Sequence, residues 1–159
     1  MIILLSKTQV SLLIEEARKK YPIESCGLLF GWITSEEAIV KKIVTTRNIL
    51  ESSTEFQINP EEFIKHISEA EKEGLKLIGF YHSHPAAPKP SMTDIKYMRL
   101  WPESIWLIIS SIDYSVEAYQ MVDERRSHRS SSGILLLLKI LFFINYMKKF
   151  ISITMLFLS

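Results

Sequence analysis

Cysteine is almost absent from this chain. Cys26 is the only one among 159 residues, so no disulfide can form within the chain. We also expect no signal peptide, because the apolar run from Met1 to Leu5 is too short and lacks a basic n-region. These two absences lead us to expect a cytoplasmic protein.

A strong excess of one charge is missing as well. The 19 Lys and Arg residues are balanced by 18 Asp and Glu residues, which gives a formal net charge of +1. A nucleic-acid-binding domain should carry a concentrated basic face, so we expect no nucleic-acid partner. The length and the 47% hydrophobic content suit one globular core and are too small for two ordinary domains.

Acidic residues are lacking after Glu124, where the composition changes. We therefore predict a domain at residues 1–124, then a basic linker and an apolar C-terminal tail of uncertain role at residues 125–159. The uninterrupted apolar runs of the tail are too short to span a bilayer, and Lys139 would lie inside the longer combined stretch, so the sequence gives little support to membrane association. The alternatives are a tail that packs against the domain or a partner chain, and a shifted reading frame.

Two histidines one residue apart, His82 and His84, are followed ten positions later by Asp94. Side chains at i and i+2 of an extended segment lie on the same side, so both imidazoles could reach one ion. Two imidazoles and one carboxylate, with a fourth position left to water, are expected of catalytic rather than structural zinc. A lone His-x-His pair is nevertheless more often two polar residues at a strand end. Ser91-x-x-Asp94 could likewise be a capping box that begins a helix.

Metal-assisted hydrolysis also needs a general base, and Glu24 is the best candidate. It stands just before an apolar, strand-like segment, where burial would raise its pKa and make its charge costly without a partner. Cys26 could instead be a nucleophile with His82 as its base, which would make the protein a cysteine peptidase. Its position at the entry to the same apolar segment favours the role of a small buried hydrophobe.

Taken together, these residues resemble the JAMM (MPN-plus, or Mov34/MPN/PAD-1) zinc metalloprotease family in its prokaryotic single-domain form. The signature of that family is an early glutamate, then His-x-His, a spacer and Ser-x-x-Asp, and the similarity covers roughly residues 1 to 124. The match includes the run Glu-Ser-Cys-Gly-Leu-Leu and the prolines at the two ends of the spacer, Pro85 and Pro90. The spacer between His84 and Ser91 has six residues, one fewer than is usual in the family. We expect the missing residue to tighten a turn, because loops tolerate changes of length.

The resemblance implies one zinc ion per chain, bound by His82, His84 and Asp94. It further implies that Glu24 is the general acid and base and that Ser91 donates to the developing oxyanion. The implied activity is that of a deubiquitinase-like isopeptidase, a hydrolase that cuts an amide bond at the C-terminal tail of a ubiquitin-like or sulfur-carrier protein. Two other functions stay open, namely a noncatalytic MPN scaffold in a protein complex and a RadC-like DNA-processing domain. The oligomeric state is undetermined.

The resemblance also implies an α/β protein with the MPN (cytidine-deaminase-like) fold, in which helices flank a central mixed β-sheet. Capping patterns predict one helix that begins at Ser6 and ends before Pro22, a second from Asn59 to Gly74, and a third after Ser91. The inner face of the second helix is predicted to hold four residues: Phe63, Ile64, Ile67 and Ala70. Apolar runs predict five strands, at residues 26–33, 38–46, 75–81, 105–110 and 116–122.

Overall fold

The computed structural model describes residues 1–123, 132–136 and 140–143. These residues form one eight-stranded sheet and three helices. The predicted α/β class with a central mixed sheet is confirmed. The elements in chain order are β1 (Ile2–Ser6), α1 (Lys7–Lys20), β2 (Cys26–Ile33), β3 (Glu37–Thr46), α2 (Pro60–Lys72), β4 (Lys76–His84), α3 (Met92–Leu100), β5 (Ile105–Ser110), β6 (Val116–Asp123), β7 (Ser132–Leu136) and β8 (Ile140–Phe143).

The sheet has the strand order β7-β6-β5-β4-β2-β3-β1-β8, so β4 and β2 lie at its centre. Strand β4 pairs antiparallel with β2 on one side and parallel with β5 on the other. Strand β4 has paired neighbours on both edges and core clusters on both faces, and every one of its residues from Ile78 to His84 is buried. The strand extends three residues beyond the predicted end at residue 81, and both histidines of the His-x-His pair therefore belong to the sheet.

Two glycines allow the central strands to approach each other. A Cβ on Gly79 would lie 2.0 Å from the carbonyl oxygen of Ile105 in β5, and one on Gly27 would lie 2.1 Å from the carbonyl oxygen of Val44 in β3. Ordinary side chains do not tolerate such contacts. These glycines therefore allow β4 to pair closely with β5, and β2 with β3.

Helices cover both faces of the sheet. Consecutive residues along the central strands, such as Phe80 and Tyr81 in β4, belong to two different core clusters, because successive side chains of a strand point to opposite faces of the sheet. The cluster that contains Tyr81 includes Leu13 and Ala17 of α1, whereas the cluster that contains Phe80 includes residues of α2 and α3. The two faces thus supply two core layers.

The capping predictions for the helices agree with the structure. Ser6 and Asn59 accept hydrogen bonds from the first turns of α1 and α2, and Gly74 takes a positive φ of 72° just after α2. The predicted inward position of Ile64 is wrong, because that side chain is 67% exposed. At 3.6 residues per turn, Ile64 lies about 100° around the axis from Phe63, whose face packs on the sheet.

Two short segments beyond residue 124 form outer strands. Strand β7 pairs antiparallel with β6, and β8 pairs parallel with β1. The basic run at residues 125–129 lies outside the described residues, and the division of the chain at residue 124 stays a prediction. None of the three described helices, of 14, 13 and 9 residues, has the length and apolar character that crossing a bilayer requires.

Candidate metal centre

The two histidines lie at the end of the central strand β4 and face the same side. His82 is fully buried and His84 is nearly so, and their Nε2 atoms are 2.9 Å apart. Burial lowers the pKa of His82, because the charged ring would lose its hydration. The ring of His82 is thereby favoured in its neutral form, the form in which an imidazole nitrogen can bind a metal ion.

Asp94 approaches both rings from the first turn of α3. Its Oδ1 is 3.3 Å from Nε2 of His82, and its Oδ2 is 3.3 Å from Nε2 of His84. Oδ2 also accepts a hydrogen bond from the backbone N–H of Ser91 at 2.7 Å. Burial alone would raise the pKa of Asp94, but these hydrogen bonds hold that pKa well below its usual range. The carboxylate is therefore charged and available as a ligand.

Glu24 reaches the same place from a segment 58 positions upstream of His82. Strand β2 pairs with β4 so that Cys26 lies opposite His82, and Glu24 therefore precedes β2 beside His84. Its Oε1 is 3.5 Å from Nε2 of His84, and the residue is only 2% exposed. Burial raises the pKa of Glu24 to about 7, although the nearby His84 opposes this shift. The carboxyl group can therefore both release and accept a proton near neutral pH.

The chemistry of these four side chains fits a small divalent cation. Candidate ligand atoms of Glu24, His82 and His84 all lie within 4.8 Å of one another. Ligand atoms held tetrahedrally at about 2.0–2.1 Å from an ion would lie roughly 3.3 Å apart. The two histidine nitrogens are 2.9 Å apart, and each is 3.3 Å from an oxygen of Asp94. Within the described part of the chain, neither carboxylate forms an ion pair with a lysine or arginine. The arrangement is that of a metal site.

Ser91 is the N-cap of α3 and lies at the rim of this site. Its Oγ accepts a hydrogen bond from the backbone N–H of Asp94 at 3.1 Å. This contact uses a lone pair of the oxygen and leaves the hydroxyl proton free to donate elsewhere. The spacer before Ser91 contains a tight turn, in which the Lys89 N–H donates to the carbonyl of Ala87 at 2.8 Å. That the short spacer has tightened this turn relative to the family stays a prediction.

An aromatic cavity, which the sequence analysis missed, lies beside the histidines. The ring of Phe56 stacks on the ring of His82 with their centroids 4.8 Å apart. Phe56 also lines a cavity of about 320 Å³ with eight other residues: Gln57, Ile58, Pro60, Phe63, Phe80, Tyr97, Trp101 and Trp106. These residues come from four separate parts of the chain, and no local pattern marks them as neighbours.

Cys26 has the environment of a buried residue. It is fully buried, its sulfur is 3.5 Å from Oγ1 of Thr46, and burial raises the pKa of its thiol to about 11. A nucleophilic cysteine needs a depressed pKa, because the thiolate is the reactive form. These features favour the interpretation as a small buried hydrophobe over that as a nucleophile.

Comparisons with known proteins agree with this geometry. A family model described as prokaryotic homologs of the JAB domain matches residues 6–126. A desampylase from Pyrococcus furiosus is 45% identical over 89 residues, which make up 55% of this chain and 60% of the relative. A CysO-cysteine peptidase from Mycobacterium tuberculosis is 27% identical over 118 residues, 72% of this chain and 79% of the relative. A solution structure of a Desulfitobacterium hafniense protein, 28% identical, matches with a TM-score of 0.71 over 89% of this chain and 92% of that one. The match thus spans about three fifths of the length of the desampylase.

Proposed function

This chain belongs to the prokaryotic homologs of the JAB domain, and on that premise we propose that it is a zinc-dependent metallopeptidase that hydrolyses an amide bond. One observation carries the proposal. A buried carboxyl group from far upstream, that of Glu24, lies 3.5 Å from the Nε2 of His84 and next to a second buried histidine. A metal site and a proton acceptor are thus assembled in one place.

We assign the ion as zinc and its ligands as His82, His84 and Asp94. Imidazole nitrogens and a carboxylate oxygen are donors that zinc prefers, and three protein ligands leave one position open. When bound, the ion would polarise the scissile carbonyl group and lower the pKa of the attacking water. Asp94 contacts both histidine rings and accepts a hydrogen bond from the N–H of Ser91. These contacts orient the three proposed ligands before any ion binds.

In this proposal the proton transfers belong to Glu24. Its Oε1 takes a proton from the attacking water and later passes it to the leaving amine, which is general base and then general acid catalysis. A pKa raised by burial to about 7 suits both steps, because the group is then balanced between its two protonation states near neutral pH.

Ser91 serves as the oxyanion donor. The hydroxyl oxygen caps α3 as an acceptor, so the hydroxyl proton can be donated to the carbonyl oxygen as that oxygen gains charge. The two roles of Ser91, helix cap and oxyanion donor, are therefore compatible.

The substrate we propose is the C-terminal tail of a ubiquitin-like or sulfur-carrier protein, joined by a peptide or isopeptide bond. The similarity to a desampylase and to a CysO-cysteine peptidase supports a protein conjugate. The aromatic cavity opens beside His82 and gives an extended tail an apolar surface next to the scissile bond.

The test is hydrolysis of fusions between small ubiquitin-like proteins and a reporter. We expect cleavage after the C-terminal glycine by the zinc-loaded protein and none after chelation, with recovery when zinc is restored. Glu24→Gln is the matched control, because it should retain one zinc ion per chain and lose turnover. Equal cleavage by the chelated and the zinc-loaded protein would exclude the metallopeptidase.

The convergence of both histidines and both carboxylates disfavours a noncatalytic scaffold, whose members usually lack a ligand. A RadC-like domain usually has Asn at the position of Ser83, and here the Ser83 hydroxyl accepts a hydrogen bond from the backbone of Ser25. The cytoplasmic location and the lack of a nucleic-acid partner stay predictions of the sequence.

A further inference from the structure

The position of Glu24 depends on hydrogen bonds made by the backbone around it. Its N–H donates to the carbonyl of Ser52 at 3.0 Å, and its own carbonyl accepts from the side-chain amide of Asn48 at 3.2 Å. The next N–H, that of Ser25, donates to the hydroxyl of Ser83, which lies between the two histidines, at 2.9 Å. The peptide groups on both sides of Glu24 are therefore anchored.

Asn48 is the least expected of these anchors. It is only 6% exposed, and its Oδ1 accepts from the N–H groups of Leu50 at 3.1 Å and Gln57 at 3.2 Å. Its Nδ2 donates to three carbonyls, those of Glu24, Ser52 and Glu55, at 3.2, 3.3 and 3.0 Å. An amide has two donor hydrogens and two acceptor lone pairs, so two of the three carbonyls share one hydrogen and the side chain uses its full capacity.

These bonds connect three parts of the site. The two accepted bonds close the loop that follows β3, which carries Phe56 over the ring of His82. The bond to the Glu24 carbonyl joins that closed loop to the segment before β2. The buried side-chain amide of Asn48 thus sets the distance between Glu24, the proposed base, and Phe56, whose ring stacks on His82.

We propose that Asn48 is a positioning residue for hydrolysis, which acts by holding the carboxyl group of Glu24 at its distance from the histidines. Asn48 touches neither substrate nor metal in this role. The inference rests on the proposed function, because it assigns to Asn48 an effect on the proton transfers of Glu24. A misplacement of about 1 Å in a catalytic group can cost roughly 100-fold in rate.

Two substitutions separate anchoring of Glu24 from closure of the loop. Asn48→Ala removes all five hydrogen bonds of the side chain. Asn48→Asp keeps the acceptor for Leu50 and Gln57 but places an oxygen where the donor to the carbonyls of Glu24, Ser52 and Glu55 was. For both variants we expect kcat to fall roughly 10- to 100-fold, with one zinc ion per chain retained. For Asn48→Asp, KM should stay within about threefold, because the two hydrogen bonds accepted from Leu50 and Gln57 still hold the loop beside Phe56 and the proton transfers, not binding, are impaired.

Asn59→Ala is the matched control. Asn59 also uses its side-chain oxygen to accept two backbone hydrogen bonds, from Glu61 and Glu62, but these cap α2 and do not reach Glu24. Its loss should lower the urea midpoint of unfolding, because the cap is removed, without a change in kcat. All variants are compared at a temperature at which unfolding curves show them to be fully folded.

A crystal structure of zinc-loaded Asn48→Ala supplies a readout besides activity. We expect the carboxyl group of Glu24 to move by more than about 1 Å relative to His84 while the two histidines stay in place. An unmoved carboxyl group, or a kcat equal to that of Asn59→Ala, would overturn the role of Asn48. Absence of any cleavage by the wild-type protein would instead overturn the proposed function, and the position of Glu24 in the variant would still decide the role of Asn48.

Discussion

Replacement of Glu24 by glutamine should stabilise the metal-free protein at alkaline pH. Glu24 is only 2% exposed, and burial raises its pKa from 4.5 to about 7. The folded protein therefore retains a proton between these two pH values that the unfolded chain releases. The contribution of Glu24 to the free energy of unfolding is fully present below pH 4.5 and is lost as the pH rises through about 7.

The magnitude follows from this shift. One pKa unit corresponds to about 1.4 kcal/mol, so a shift from 4.5 to about 7 has an upper limit of roughly 3 kcal/mol. Entry of water and local relaxation reduce such penalties, and we expect a gain of about 1–2 kcal/mol for Glu24→Gln at pH 8. Below pH 4.5 the gain should vanish, because the protonated acid and the amide are both neutral and similar in shape.

Urea unfolding in the presence of a chelator, followed by tryptophan fluorescence at pH 8 and pH 4, measures this difference. Glu71→Gln, at an exposed position of α2, is the control and should change the free energy of unfolding by less than about 0.5 kcal/mol at either pH. The reasoning is refuted if Glu24→Gln is no more stable than the wild type at pH 8, or if an equal gain persists at pH 4.

Three further predictions concern other parts of the site and its supporting sheet. Ser91→Ala should lower the free energy of unfolding by about 1 kcal/mol through the lost cap and lower kcat roughly 100-fold through the lost oxyanion donor, whereas an uncapping effect without a loss of kcat would remove Ser91 from the oxyanion role. Cys26 should resist a thiol reagent at pH 8 until urea unfolds the protein, because its thiol is buried with a pKa of about 11, and Cys26→Ala should retain hydrolysis. Gly79→Ala should lower the urea midpoint more than Gly74→Ala does. A Cβ at Gly79 would collide with the backbone of Ile105, whereas Gly74 has open space and an alanine there bears only the left-handed conformation, about 1 kcal/mol.

The strands and helix starts could be predicted because their signals lie within a few residues of sequence. The strand at residues 26–33 was predicted with the bounds that the structure has, since a continuous apolar run is typical of a strand buried on both faces. The capping box formed by Ser91 and Asp94 was likewise predicted. It proved to be part of the site as well, because the same carboxylate contacts both histidines.

Most of the errors and omissions share one physical cause, which is that packing partners are distant in sequence. Ile64 was assigned to the inner face of α2 because it is apolar, but the direction in which a helix faces depends on what it packs against. Phe56 and Asn48 lie in a segment without helical or strand periodicity, and the stacking of the first on His82 arises only when the loop folds over β4. Three strands were also missed. Strand β1 has only five residues just before α1, and the segments of β7 and β8 lie in the apolar tail.

The order of amino acids specifies which chemical groups the site contains: two imidazoles two positions apart, a carboxylate on the first turn of a helix, and an acid before an apolar strand. That these groups meet follows from how the strands pair in the folded sheet. The pairing of β2 with β4 places Cys26 opposite His82, and that register brings Glu24 to 3.5 Å from His84. Local patterns depend on interactions over three or four residues, whereas this register depends on the packing of a whole sheet, in which a shift of one residue would turn Glu24 to the opposite face.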